Sequence, residues 1–514
     1  MISATARDDA GLGRGGRVGA ALAAALSLML HGAPAAADKK LAGQGKPIAT
    51  SSYTIDLYEG PILAGSRIVG LAGAYVPIAE GVAGYAFNPA AVAQRVPWST
   101  DWFDWELDAG LTLPSSITGF DFDNSGDDGF THSTTIFVTA GGGLQLGDLG
   151  IGVTADVQQY RVTDRDPTKA VADRTLNVTI FRPEVVAALA LFRNQLVFGL
   201  GVGANQVGMT RPGNDGDREV ANSTGVSGHA GVLWQPGPLP IRVGASVRLS
   251  PAASMTKDSK PQGAEVTQDA DGNYLSGGYY LPRTISLPSE VHVGVAFQFF
   301  RPLNFPWDNP RREASEARRV ARAIADERGK RNEDRRNRLA ALEGKRDEQK
   351  RVEDELDKRD EAAEKAEDER LAAAKKADKR RRKRAYLEMP REKLLVSTAV
   401  KITTITTNGV GLESFLSQKV ARSGETVSFS PRLGLEAEAI PRWLVVRAGS
   451  YYEPTRFREP AGPRIHGTGG FDVHIPIVWS LFGLLDDDTS FRVGGAVDGA
   501  ARYFGWAVSA GIWR

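Results

Sequence analysis

Period-two alternation, repeated along most of the chain, is the feature that most restricts its fold. "IRVGASVRLS" sets Ile241, Val243, Ala245, Val247 and Leu249 on one face and Arg242, Gly244, Ser246, Arg248 and Ser250 on the other. "VHVGVAFQFF" (from Val291) and "NQLVFGLGVGANQ" (from Asn194) repeat the pattern, the second against a glycine face. Such alternation marks strands with one apolar face. Beyond residue 37 no apolar run approaches the ~20 residues that a spanning helix needs. Two architectures remain: a soluble sandwich with apolar faces turned in, and a membrane barrel with them turned out.

Connection lengths separate the two. About fourteen strands are predicted near 99–114, 132–146, 149–163, 174–192, 194–208, 223–235, 239–254, 283–300, 392–407, 424–439, 442–453, 465–480, 489–498 and 503–513. The links between them mostly alternate long and short, as in outer-membrane barrels with short inner turns and long outer loops. Trp98, Trp234, Trp307, Trp443 and Trp479 fall at the inner ends, where an interfacial girdle belongs. Tyr279, Tyr280, Tyr451 and Tyr452 fall toward the outer ends. The fold class expected is an all-β transmembrane barrel of about fourteen antiparallel strands.

The N-terminus reads as a secretory leader. Arg14 and Arg17 precede the apolar run "VGAALAAALSLML", and Ala35-Ala36-Ala37 offers a cleavage site, which predicts export and cleavage near Ala37. The chain has no Cys, so disulfides, thiolate nucleophiles and Cys-ligated zinc are excluded. A net charge of +1 points to no class of partner.

Between Pro310 and Tyr386 the composition shifts to Arg, Lys, Glu, Asp and Ala, without an aromatic. This is helix-forming sequence laced with i,i+4 charge pairs. Val320, Ile324, Leu339, Leu342, Val352, Leu356 and Leu371 give a thin apolar seam. The insertion links the eighth and ninth strands, which places it on the periplasmic side and requires it to return. A helical hairpin of about 50 Å, turning near Gly344, satisfies both conditions. It is either a solvated arm or, through residues 311–385, a contact for a periplasmic protein or peptidoglycan. "KRRRKR" (Lys379 to Arg384) has the look of a nucleic-acid patch, but an exported chain has no nucleic-acid partner.

No catalytic constellation, H-E-x-x-H or P-loop is visible, so no enzyme activity and no cofactor are expected. His466 and His474 share one predicted strand at an even spacing and read as polar lining. In "GFDFDNSGDDGF", Asp121, Asp123, Ser125 and Gly126 are similar to the start of a calcium loop, but His132 stands where the bidentate Glu belongs. The loop reads as solvated, with calcium or lipopolysaccharide bridging as the alternative, and no metal site is assigned.

"SRIVGLAGAYVPIAEGVAGYAFNPAAVAQ" (Ser66 to Gln94) suits neither a helix nor a strand. It resembles the N-terminal plug of the long-chain fatty acid (FadL-like) outer-membrane transporter family, on Gly70, Gly73, Ala74, Tyr75, Glu80, Asn88, Pro89 and Ala90. "SLPSEVHVGVAFQF" and "PRLGLEAEAIPRWLVVRAGSYYEP" are similar to that family's Leu-Pro strand and late hairpin. The resemblance implies a plug folded into the lumen and passage of hydrophobic molecules, often sideways through a gap near a kinked strand. Gly70, Gly73, Tyr75, Glu80, Asn88, Pro89 and Ala90 are then the candidate plug and path residues. Pro183, which removes a ladder donor, is the candidate wall irregularity. Uptake is expected to begin at Leu281, Tyr279 and Phe415.

The domain reading is a leader (1–37), plug (38–98), strands 1–8 (99–306), charged insertion (307–391) and strands 9–14 (392–514). The alternation turns Arg242, Arg248, His292, Lys401, Glu436, Arg447, Asp472, His474 and Arg492 into the lumen, along with Arg432 and Glu438. So many charges sit poorly with a uniformly greasy path. The expected function is passive uptake of hydrophobic or amphipathic molecules of fatty-acid or aromatic type. The alternative is a scaffolding barrel whose working part is the insertion. Outer-membrane lipid and lipopolysaccharide are the expected surroundings.

Overall fold

The computed structural model describes residues 41–95, 102–115, 120–165, 174–192, 194–213, 216–237, 239–249, 252–254, 266–304, 316–389, 393–441, 443–458, 462–476 and 490–513. The leader expected over 1–37 lies outside them, as do Trp98, Trp307 and Trp479.

Fourteen antiparallel strands close into a barrel. They are β1 (Phe103–Ser115), β2 (Phe130–Leu146), β3 (Leu149–Asp164), β4 (Thr175–Leu191), β5 (Leu196–Arg211), β6 (Arg218–Trp234) and β7 (Ile241–Arg248), followed by β8 (Glu290–Phe299), β9 (Leu394–Thr403), β10 (Ser428–Ile440), β11 (Leu444–Glu453), β12 (Arg464–Pro476), β13 (Ser490–Ala500) and β14 (Tyr503–Trp513). β1 and β14 form the closing seam, from Glu106 opposite Trp513 to Ser115 opposite Phe504.

Polarity is inverted relative to a soluble domain. On β1, Asp104, Glu106 and Asp108 are buried inside while Leu107 is 52 % exposed outside. Val185, Leu200, Val202, Val293, Leu433, Phe471 and Val508 continue the outer apolar belt. Exposed apolar rows around buried charged rows are stable only where lipid is the outer solvent. No described helix is long and apolar enough to cross a membrane. Trp102, Trp234 and Trp443 are exposed at the end of the barrel that carries the short turns, as an interfacial girdle requires. Tyr451 departs from the expectation of an outer ring. It is buried and stacks on His466 at 4.1 Å between ring centroids.

Two strands are shorter than their alternation suggests. β7 ends at Arg248 and β8 begins at Glu290, where the sequence pattern runs on to 254 and back to 283. Pro251 and Pro288 interrupt those runs, and proline cannot donate to a ladder. The freed pieces build a small inner sheet instead. Thr284–Ser286 pairs antiparallel with Ala252–Ser254 and parallel with Thr54–Asp56, which also pairs with Gly409–Val410.

That sheet shows the path of the N-terminal segment. Residues 45–54 bond to the long connections at one end of the barrel, through Gly45 to Val420, Ile48 to Gln418 and Thr54 to Asn408. Arg95, at the other limit, donates to Trp102 O and Gly147 O beside the short turns. The segment therefore threads the whole lumen. Within it lie α1 (Ser66–Gly70) and two 3₁₀ turns, Val82–Gly84 and Pro89–Ala93.

The charged insertion is a helix pair, α2 (Glu316–Ala340) and α3 (Arg346–Glu388), turning through Gly344 at φ +92°. At 1.5 Å per residue the arms are about 38 and about 65 Å, so α3 outruns its partner. Ile324, Leu356 and Ala374 are the buried apolar contacts. Ion pairs carry most of the seam: Arg331 to Glu367 at 2.7 Å, Arg335 to Asp357 at 2.6 Å and Arg359 to Asp334 at 3.0 Å. The Asp378 carboxylate caps α2 across the pair, accepting from the Glu316 and Ala317 amides.

Candidate functional site

The lumenal segment is shaped by close backbone contact with the wall. An added Cβ at Gly199 would strike the Pro89–Ala90 backbone, at Gly244 the Val76 carbonyl, and at Gly434 the Leu71 carbonyl. The glycine faces of the strands are thus seats for the plug. Asn88 is the main rivet. Its Nδ2 donates to Val76 O and to Val232 O on β6, both at 3.1 Å, and its Oδ1 accepts from Ala90 N at 3.1 Å. One side chain therefore caps the 3₁₀ turn opened by Pro89 and ties it to the wall. Gly70 packs against Gly470 and Arg447, and Gly73 takes a positive φ under Arg432.

Charged side chains hold the rest. Tyr75 Oη donates to Glu80 O and accepts from Arg67. Glu80 pairs with Arg67 at 3.1 Å and with Arg242 on β7 at 2.6 Å. From Arg67 the network passes to Glu436 (3.0 Å), Arg447 (2.8 Å), Asp472 (2.7 Å) and Arg492, which pairs with Asp108 at 2.7 Å. Lys393 also pairs with Glu436. His474 shares the inward face of β12 with Asp472. Lys401 and His292 share Glu290, at 3.0 and 3.3 Å. Arg248 bonds Glu184 and Ala86 O. Removing one partner from such a buried set leaves the other uncompensated, so the set acts as a lock.

The lumen is not polar throughout. On the outer halves of β3–β6, Tyr160, Val162, Leu176, Val178, Ile180, Val207 and Met209 turn inward. They join one apolar cluster with Leu57, Leu281, Leu412 and Phe415. Leu281 and Phe415, expected as surface entry points, are 3 % and 1 % exposed, because the threaded N-terminal segment gives the loops a core to fold onto. A narrow cleft of about 20 Å³, partly open to solvent, lies beside this cluster. Leu57, Phe122, Tyr160, Ile180, Leu412 and Phe457 supply its apolar wall, and Glu59, Asp123 and His132 its polar rim.

Pro183 lies just beyond the cleft. The β4–β5 ladder pairs Phe181 with Gln206 and Glu184 with Gly203, and it lacks the two pairs between. Register is unchanged across the break, so this is a gap and not a bulge. The lumenal side is closed by ion pairs of Arg182 with Glu59 at 3.1 Å and of Glu184 with Arg248 at 2.7 Å, and by a hydrogen bond of Glu184 with His229 at 2.8 Å.

Several residues of this site carry no signal in the sequence. Arg67, Glu59, Arg182 and Glu184 have partners 64 to 369 positions away, which only barrel closure brings near. His466 is not paired with His474. Its two ring nitrogens meet Asp498 at 2.8 Å and Glu453 at 2.5 Å.

No family model matches this chain, and no curated protein matches it. Solved structures do. A FadL homologue of Pseudomonas aeruginosa is 11 % identical at a TM-score of 0.44, over 91 % of this chain and 99 % of that one. The Pseudomonas putida toluene transporter TodX gives 0.42 at 11 % identity, over 90 % and 98 %. The Ralstonia pickettii toluene transporter TbuX gives 0.44 at 11 % identity, over 87 % and 96 %. The barrel and its threaded lumen stand on the strand ladder and the contacts above.

Proposed function

We propose that this protein is a bacterial outer-membrane channel, exported with cleavage near Ala37, for passive uptake of hydrophobic or amphipathic small molecules of fatty-acid or aromatic type. One observation carries this reading. An inward apolar wall on β3–β6 runs from the outer cleft to the unpaired stretch at Pro183, and below that stretch the inward apolar residues Val186, Ala188, Val197 and Leu233 are covered by the plug. A molecule following it meets the Arg182–Glu59 pair and then the two unmatched positions of the β4–β5 ladder. The charged remainder of the lumen disfavours an axial greasy path and favours a lateral exit into lipid. Gly70, Gly73, Tyr75, Glu80, Asn88, Pro89 and Ala90 serve here as the plug that directs cargo to the gap. Arg242, His292, Lys401, Glu436, Arg447, Asp472, His474 and Arg492 hold that plug.

Because the chain has no Cys, the gap can be stapled cleanly. A Pro183→Cys/Ala204→Cys pair spans it. The oxidised barrel in liposomes should lose uptake of labelled fatty acid or toluene, and reduction should restore it. Equal uptake in both states rules out the lateral exit. A second reading, a scaffold working through residues 311–385, is favoured by the length and ion-pair zipper of the hairpin. Deleting 316–388 separates them: uptake survives under the channel reading, whereas attachment to peptidoglycan or a periplasmic protein is lost under the scaffold reading.

A further inference from the structure

The outer rim of the cleft brings together three groups from two distant parts of the chain. Asp123 lies in the β1–β2 loop, His132 near the start of β2, and Glu413 on the short helix α4 (Leu412–Ser417). One donor atom of each lies within 4.8 Å of the others. His132 Nε2 and Glu413 Oε1 are 3.8 Å apart, too far for a hydrogen bond. Glu413 is 4 % exposed, and its Oε1 has no hydrogen-bond partner. A buried carboxylate oxygen aimed at an imidazole and a second carboxylate, without a donor, is costly unless a proton or a cation is shared among them.

The donor set and its spacing fit one kind of ion. Ligand atoms about 2.0–2.2 Å from a tetrahedral zinc lie about 3.3–3.6 Å from each other, so a contraction of under about 1.5 Å closes the site. An imidazole with two carboxylates suits zinc and its first-row neighbours, whereas calcium takes oxygen ligands. This changes the meaning of the loop that resembled a calcium site. Asp121 neighbours Asp123 and is not one of the three. It folds the loop, accepting from Ser125 N at 3.0 Å and Gly126 N at 3.1 Å. Arg464 donates to Asp121 O at 2.7 Å, and Thr455 to Asn124 O at 3.2 Å, which fix the loop against β12 and the connection that follows β11. Asp123 is thereby held in place before any ion arrives. His132, at the position that disqualified a calcium loop, supplies the nitrogen.

We infer that Asp123, His132 and Glu413 form a binding site for a first-row divalent metal ion of the zinc class. The ion ties the β1–β2 loop to α4 across the mouth of the cleft. This inference is independent of what the channel carries.

The test uses the full chain in detergent, stripped with chelator and titrated with Zn²⁺ calorimetrically, with Co²⁺ absorption as a second readout. One ion per barrel is expected, with tetrahedral Co²⁺ bands. Glu413→Gln and His132→Ala should each weaken binding at least 100-fold, and Asp123→Asn at least tenfold. Asp128→Asn, which touches Arg502 and not the cluster, should leave it unchanged. Heat-modifiable migration of each variant on a gel controls for folding, and Glu413→Gln preserves shape should His132→Ala not fold. No binding, binding unaltered in the folded variants, or a preference for Ca²⁺ over Zn²⁺ overturns the assignment.

Discussion

Asn88→Ala should loosen the plug without disturbing the barrel, and its size follows from the bonds Asn88 makes. The substitution removes three hydrogen bonds, two from Nδ2 and one to Oδ1. Each is worth about 1 kcal/mol net, so the plug turn loses about 3 kcal/mol. At about 1.4 kcal/mol per decade, that is about 100-fold more opening. Amide exchange of peptides spanning 81–95, followed by mass spectrometry on the folded barrel, reads this directly. The wall offers a second handle, because an added Cβ at Gly231 would collide with Asn88 Oδ1. Gly231→Ala should therefore increase exchange in the same peptides, and by much less once Asn88 is Ala. The coupling should reach about 1 kcal/mol or more, the mark of two residues acting at one contact. A change under about threefold in Asn88→Ala, or strict additivity in the double variant, refutes the rivet.

Other perturbations follow from the same network. Glu80→Gln removes the charge that pairs with Arg67 and Arg242, and a spin-label distance between plug and wall should broaden in that variant. Leu356→Asp places a charge where a side chain 2 % exposed now packs, removing about 1.5–3 kcal/mol of burial. Exchange protection over 316–388 should fall at least tenfold while the barrel stays heat-modifiable. Raising salt to 1 M, where the Debye length is about 3 Å, should weaken the exposed hairpin pairs and leave the buried lumenal set intact.

The sequence makes the wall readable because period two is a local property. Val291, Val293 and Val295 declare their face whatever they pair with. The inward turn of Arg242, Glu436 and Asp472 is legible for the same reason. Their partners are not, since Arg67 meets Glu436 only after closure and threading. The small residues of the plug are conspicuous, but the matching glycines on the wall, Gly199, Gly231, Gly244 and Gly434, read merely as a polar face. Prolines 251 and 288 mark where alternation stops meaning wall and starts meaning inner sheet. Glu413 illustrates the limit. It lies 281 positions from His132 on a six-residue helix, with no spacing to link them.

The threaded lumen has a consequence for biogenesis. The N-terminal segment is anchored at both mouths, at Ile48 and at Arg95, and it is synthesised before any strand. The seam between β1 and β14 is made last in chain order. A cylinder already shut would have to admit this segment past seats that fit it without clearance. The order that avoids this is the reverse: the strands curl around the segment as a mandrel, and the seam zips once it is enclosed. A variant that cannot seat Asn88 would then betray itself first as a delay in closure, before any leak is seen.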